Sequence, residues 1–147
     1  MRAASGFAAV LVALLATSAA APAPVRAPVA TGPFLPLRAA DESRAEAGCT
    51  LTFIVGSGRR SVDLLQLSGH ILLSRTRAGL DICPISEAQF QAFAGSGGAA
   101  RCAGRRIAIR SGPPRDMGND SASSAATLTV TQSGRTQRLH GTWASAC

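Results

Sequence analysis

The chain has 147 residues and a formal net charge of +7, and all fifteen of its basic residues are arginine. This length is enough for one small domain and excludes two once an N-terminal targeting segment is set aside. The charge favours anionic partners, either an acidic protein or an anionic envelope component. A GC-rich bacterial genome would produce the same bias, because arginine, alanine and glycine all have GC-rich codons.

The first 20 residues have the pattern of a secretory signal peptide. Arg2 supplies the positive start, and residues 7–16 form an apolar run that is too short to span a bilayer. Ser18 and Ala20 then place small side chains at the −3 and −1 positions. We therefore expect cleavage after Ala20, a periplasmic or secreted protein, and no transmembrane span after cleavage. An uncleaved N-terminal anchor is the alternative.

Residues 21–48 are predicted to be a flexible leader rich in proline and alanine. Proline recurs there without a periodic apolar pattern, at Pro22, Pro24, Pro28, Pro33 and Pro36. Such a composition favours extended backbone. A short apolar stretch at residues 34–37 is a candidate for docking on the domain that follows.

From Cys49 onward, apolar and polar residues alternate with the period of a half-buried strand. The pattern predicts strands at residues 49–55, 62–67, 70–75, 80–83, 106–110, 127–132 and 137–143. The alternation slips at Leu64 and Leu65, as a β-bulge or a strand buried on both faces would cause. Turn residues recur at intervals of roughly 8–12 positions, which is typical of antiparallel sandwiches and barrels. Residues 49–147 are thus predicted to form one mainly β domain, a small antiparallel barrel or sandwich of six or seven strands.

One short helix is predicted after residue 86. Ser86 and Gln89 have the spacing of a capping box, and Phe90 and Phe93 fall on one helical face. The glycines that follow Ala94 end the helix.

The four cysteines are an even set in a chain with an export signal, so disulfides are expected. Three pairings are possible, and we favour Cys83–Cys102 with Cys49–Cys147. The first would close a loop around the helix, and the second would tie the first strand to the C-terminus. No C-x-x-C motif occurs and neither histidine has ligand spacing to a cysteine, so we expect neither a metal nor a cofactor.

Two stretches are predicted to be exposed loops, residues 95–101 and 112–124. The first is rich in glycine and supplies a candidate binding loop of Ser96, Gly97 and Arg101. Ser96-Gly97 resembles the serine-glycine loop of the c-type lysozyme inhibitors, which are small exported β proteins. That family's motif continues to a tyrosine, and this chain has none. No functional residue is carried over from the resemblance.

Arg106 and Arg110 alternate with inward-facing isoleucines, and Arg138 points outward from the last strand. If those strands pair, the three arginines form a stripe that contacts an anionic partner. Nucleic acid is not expected, because a basic face for it would carry aromatic residues. The aromatics of the domain are instead predicted to lie in the core, at Phe53, Phe90, Phe93 and Trp143.

No catalytic motif stands out in the sequence. His70 and His140 are the only histidines, and no nucleophile motif accompanies either of them. The leading hypothesis is an exported, non-enzymatic binding protein of unknown ligand. One alternative is an inhibitor of an envelope hydrolase such as a lysozyme or a protease, and another is a small hydrolase with a serine or histidine centre.

Overall fold

The computed structural model describes residues 31–147. The predicted signal peptide and the first part of the predicted leader lie outside the described residues, so both remain predictions. Within residues 31–147, no helix is long and apolar enough to cross a membrane.

The described residues form nine strands, a single helical turn α1 (Ala39–Glu42) and one longer helix α2 (Glu87–Ala94). The strands are β1 (Thr50–Val55), β2 (Val62–Ser68), β3 (Ile71–Thr76), β4 (Gly79–Pro84), β5 (Gly97–Cys102), β6 (Arg105–Ser111), β7 (Arg115–Gly118), β8 (Ser121–Gln132) and β9 (Arg135–Ala146). Seven of them match predicted strands. The other two, β5 and β7, lie where loops were predicted.

All pairings are antiparallel, and the strands form one sheet in the order β4-β3-β2-β1-β9-β8-β6-β5, with β7 paired to β8 beyond the end of β6. The sheet curls into a nearly closed barrel, which confirms the predicted fold class. Alternate side chains fill the interior, and Phe53 of β1 and Ile107 of β6 are fully buried there. Phe53 pairs with Leu65 and Ile54 with Asp63, so the predicted bulge lies at Leu64.

The two edge strands, β4 and β5, meet at a seam where no ladder joins them. Cys83 of β4 and Cys102 of β5 form a disulfide across it, with their Cα atoms 5.5 Å apart. Arg105 donates to Asp81 across the same seam at 2.9 Å. The second disulfide, Cys49–Cys147, joins the start of β1 to the end of β9. The favoured cysteine pairing is therefore confirmed.

Helix α2 connects β4 to β5 and closes one end of the barrel. Ser86 and Gln89 form the predicted capping box, in which the Ser86 hydroxyl accepts from the Gln89 amide at 3.2 Å and the Gln89 side chain accepts from the Ser86 amide at 2.9 Å. Phe93 is fully buried against the barrel, and Trp143 of β9 donates its indole N–H to the Phe93 carbonyl at 2.8 Å. This hydrogen bond joins the helix to β9, which is not a neighbour of β4 or β5 in the sheet.

Residues 31–48 are called the covering segment below. Its first residues reach the core, with Gly32 close to Leu139 of β9, and from Leu35 onward it lies against β2 and β3. Phe34 is buried in the core cluster, and the amide of Leu35 donates to the Arg75 carbonyl of β3 at 2.8 Å. Further along, the amide of Glu46 donates to Ser68 at the end of β2. Ser68 is completely buried under this cover, although it alternates with inward-facing Leu67.

A buried ion pair anchors the covering segment. Asp41 of α1 is only 3% exposed and accepts hydrogen bonds from both Nε and Nη2 of Arg75, the first at 2.6 Å. The backbone amide of Arg38 donates to the same carboxylate at 2.9 Å. The Arg75 hydrogen bonds lower the pKa of Asp41 from 3.8 to about 2, against the opposing effect of burial.

Replacing Phe34 with alanine should destabilise the fold, because a buried aromatic ring in the core cluster would be lost. We expect Phe34→Ala to lower the free energy of unfolding by about 3–5 kcal/mol. Urea denaturation measures it, with Leu35→Ala as the control because Leu35 is 36% exposed. An equal, small loss in both variants would show that the covering segment does not contribute to the core.

Replacing Asp41 with asparagine should change the dependence of stability on acid. The folded pKa of Asp41 lies below its unfolded value, so its contribution to stability is present above about pH 4 and is lost as the pH falls toward about 2. Asp41→Asn should therefore be less stable than the wild type at neutral pH. As the pH falls between these two values, it should lose less stability than the wild type loses. The control is Glu42→Gln, at the exposed residue next to Asp41. Its stability should depend on acid as steeply as that of the wild type. Parallel curves for wild type and Asp41→Asn in urea denaturation would contradict this account.

Candidate functional site

The outer side of β8 carries only small or hydroxyl side chains. Its buried residues, Ala126, Leu128 and Val130, point into the barrel, so the residues between them point outward. These outward residues are Ser121, Ser123, Ala125, Thr127, Thr129 and Thr131. β6 carries Arg106 and Arg110 on this side and β9 carries Arg138 and His140, so the middle of β8 lies low between these longer side chains.

Basic residues lie on both sides of β8. Arg106 and Arg110 of β6 pair with Thr131 and Thr127, so both arginines face the same way as the β8 hydroxyls. On the other side, Arg138 pairs with Thr129 and His140 with Thr127.

Arg101 of β5 lies directly opposite Arg106. We call this outer surface of β5, β6, β8 and β9 the basic face, defined by Arg101, Arg106, Arg110, Arg138 and His140, all of which are exposed.

The predicted arginine stripe required β6 and β9 to pair, and they do not. β8 separates them, so Arg138 is displaced from the β6 arginines by two strand spacings across the sheet, about 10 Å, and by two residues along it, about 7 Å. The three arginines still share one side of the sheet because directly paired residues point the same way. The stripe is thus replaced by a broader face with a hydroxyl-lined centre.

The positive charge of the basic face is not balanced locally. No outward position of β5, β6, β8 or β9 is acidic. The ion pairs within residues 31–147 join Arg75 to Asp41 and Arg105 to Asp81, both away from the basic face. Arg101 and Arg106 also form a cross-strand pair of like charge, an arrangement that destabilises a sheet. Repulsion between these arginines therefore lowers the stability of the fold slightly, and contact with an anionic partner would relieve it.

The glycine-rich stretch is a strand and not the flexible loop that was predicted. A Cβ on Gly97 would lie 2.1 Å from the Ile109 carbonyl oxygen of β6, and one on Gly98 would lie 2.9 Å from the Phe93 ring. Both glycines thus allow close packing, whereas loop mobility was expected. Of the candidate binding residues, Ser96 precedes the strand, Gly97 packs against β6, and Arg101 alone belongs to the basic face.

Neither histidine meets a carboxylate side chain through its ring among the described residues. His140 Nδ1 lies 3.2 Å from the Thr127 hydroxyl on the basic face. His70 contacts Glu46 through its backbone amide, at 2.8 Å. No group of three potential metal ligands occurs within residues 31–147. The depression next to Trp143 holds about 50 Å³, less than a small-molecule site requires, whereas four wider depressions on the described surface hold about 380–490 Å³ and are more open to solvent.

The second predicted loop contains a short hairpin of β7 and the start of β8. Its tip is Asn119-Asp120, and both residues have positive φ, as in a tight two-residue turn. Met117, next to the tip, is 62% exposed. The Asn119-Asp120 turn is a sequence signal for this hairpin, and the loop prediction did not use it. That turn alone would place Arg115 opposite Ser124. A bulge at Met117 shifts the register, so Arg115 of β7 lies opposite Ser123, on the outer side of β8.

Comparison of the chain with protein-family models, with curated proteins and with solved structures finds no match.

Removing one charge from the like-charge pair should stabilise the fold slightly. We expect Arg106→Thr to raise the melting temperature by roughly 1–3 °C at low salt, and the gain should shrink in about 0.5 M salt because screening already weakens the repulsion. Thermal unfolding followed by circular dichroism measures it. Arg60→Thr, an exposed arginine outside the basic face, is the control. A lower melting temperature for Arg106→Thr would show that Arg106 has a structural partner.

Proposed function

We propose that this protein is an exported, non-enzymatic binding protein that recognises an anionic partner through the basic face. The unbalanced cluster of Arg106, Arg110 and Arg138 around the β8 hydroxyls is the observation that carries the proposal. A surface that served solubility alone would mix both signs of charge. Guanidinium groups also suit carboxylate and phosphate, since each donates two parallel hydrogen bonds.

Export to the periplasm or the cell exterior is part of the proposal. The signal-peptide pattern of residues 1–20 supports it. The two disulfides support it as well, because such bonds persist in oxidising compartments and are rare in the cytosol of most bacteria.

The test is binding of three anionic probes: polygalacturonate, poly-L-glutamate and vesicles containing phosphatidylglycerol. We expect at least one to bind, with an affinity that falls steeply as salt rises. Arg106→Ser/Arg110→Ser/Arg138→Ser should lose at least tenfold in affinity. Isothermal titration calorimetry or co-sedimentation measures both effects.

A charge-matched variant separates the basic face from net charge. Arg59→Ser/Arg60→Ser/Arg77→Ser removes three exposed arginines from other parts of the barrel and should stay within about threefold of wild type. Equal losses in the two triple variants would mean that net charge, and not the basic face, causes binding. If none of the three probes binds to the protein at low salt, the proposal is overturned.

A second candidate function is inhibition of an envelope hydrolase by the β7–β8 hairpin. Residues 112–120 are all exposed, and Met117 offers an apolar side chain for a target's cleft. Purified lysozymes and envelope proteases would be assayed with the wild type and with Met117→Ser. If the wild type inhibits one of these enzymes and Met117→Ser does not, this function is supported. If the wild type inhibits none of them, this function is excluded.

A further inference from the structure

The basic face continues beyond β6 along a groove over β8. β6 ends at Ser111, the chain leaves the sheet over residues 112–114, and β7 then returns to pair with the first part of β8. Arg115 pairs with Ser123, which points outward, so Arg115 extends the row begun by Arg106 and Arg110. We call the surface from Arg106 to Arg115 over the outward side of β8 the β8 groove.

The β8 groove is long and regular. Arg106, Arg110 and Arg115 lie opposite Thr131, Thr127 and Ser123, which are four residues apart along β8. At about 3.4 Å per residue the arginines recur about every 13–14 Å, and the groove spans about 27 Å. Two shallow depressions lie along it, one beside Arg110 and His140 and the other beside Arg115 and Thr142. A compact ligand would reach one arginine of this row, whereas an extended one would reach all three.

The side chains of the groove favour a glycan over the other anionic polymers. Its centre is a row of hydroxyls, which hydrogen-bond to sugar hydroxyls, and its sides carry guanidiniums, which bind carboxylates or phosphates. No outward position of β5, β6, β8 or β9 is Phe, Tyr or Trp, so nucleobases have no row of rings on which to stack, and the His140 imidazole is the one ring on these strands that faces outward. Those positions also lack the large apolar anchors on which protein interfaces depend, and Met117 of β7, beside Arg115, is the large apolar side chain that borders the groove. A flat membrane would reach the arginine ends and leave the central hydroxyls without partners.

We propose that the β8 groove binds a linear acidic glycan, laid along β8 with its acidic groups on Arg106, Arg110 and Arg115. This inference rests on the proposed function and adds the class of partner and its direction on the barrel.

The experiment uses oligogalacturonides of increasing length as probes, with calorimetry as the readout. Affinity should rise with length and level off once the oligomer spans the groove. Arg115→Ser should weaken the longest oligomers by about three- to tenfold and leave the shortest ones unchanged, because a short oligomer does not need the third arginine. Arg60→Ser, the matched single-charge control, should have little effect at any length.

The outcomes separate this inference from the proposed function. Affinity that does not depend on length, or Arg115→Ser binding the longest oligomers as tightly as wild type does, overturns the glycan groove. Tighter binding of poly-L-glutamate or of phosphatidylglycerol vesicles than of oligogalacturonides of matched charge also overturns it. If that binding still requires Arg106, Arg110 and Arg138, the proposed function stands. If no probe binds, both fall.

Discussion

The seam between β4 and β5 is the constraint on which the rest of the fold depends. The sheet has two free edges, and a barrel forms only if they meet. The Cys83–Cys102 disulfide and the Arg105–Asp81 ion pair join them where no ladder does. A crosslink that closes a loop of this length stabilises a fold by about 3 kcal/mol in the chain-entropy model. Closure then decides which residues of every strand face inward and which remain available for contacts outside.

The outer surface of the barrel is divided into a covered part and an open part. The covering segment lies over β2 and β3 and is held there by Phe34 and by the Asp41–Arg75 pair. The outward side of β5, β6, β8 and β9 has no such cover, and four exposed arginines share it without an acidic residue among them. The acidic residue that pairs with Arg75 stabilises the covered part, whereas repulsion between Arg101 and Arg106 remains on the open part. This asymmetry is the physical basis for placing the functional site on the open side.

Local features of the sequence predicted much of this fold, and long-range contacts determined the rest. Alternation predicted seven strands and the bulge at Leu64, because burial on one face leaves that period in the sequence. β5 was missed because its glycines do not favour strands. They are required by the close approach of the Phe93 ring and of Ile109 on β6, and alternation of apolar and polar residues carries no sign of such contacts. The arginines of β6 and β9 were each predicted to face outward. Their separation by β8 depends on strand order, which short-range patterns do not specify.

The most direct test of glycan binding along β8 is to map the surface of the protein that an acidic glycan contacts. Backbone amide resonances of the ¹⁵N-labelled protein would be followed while an oligogalacturonide long enough to span the β8 groove is added. The largest shifts should cluster at the outward residues of β8, including Thr127 and Thr131, and at their partners on β6, β7 and β9. Shifts concentrated on the covering segment, on β2 and β3, or only at the tip of the β7–β8 hairpin would contradict glycan binding along β8.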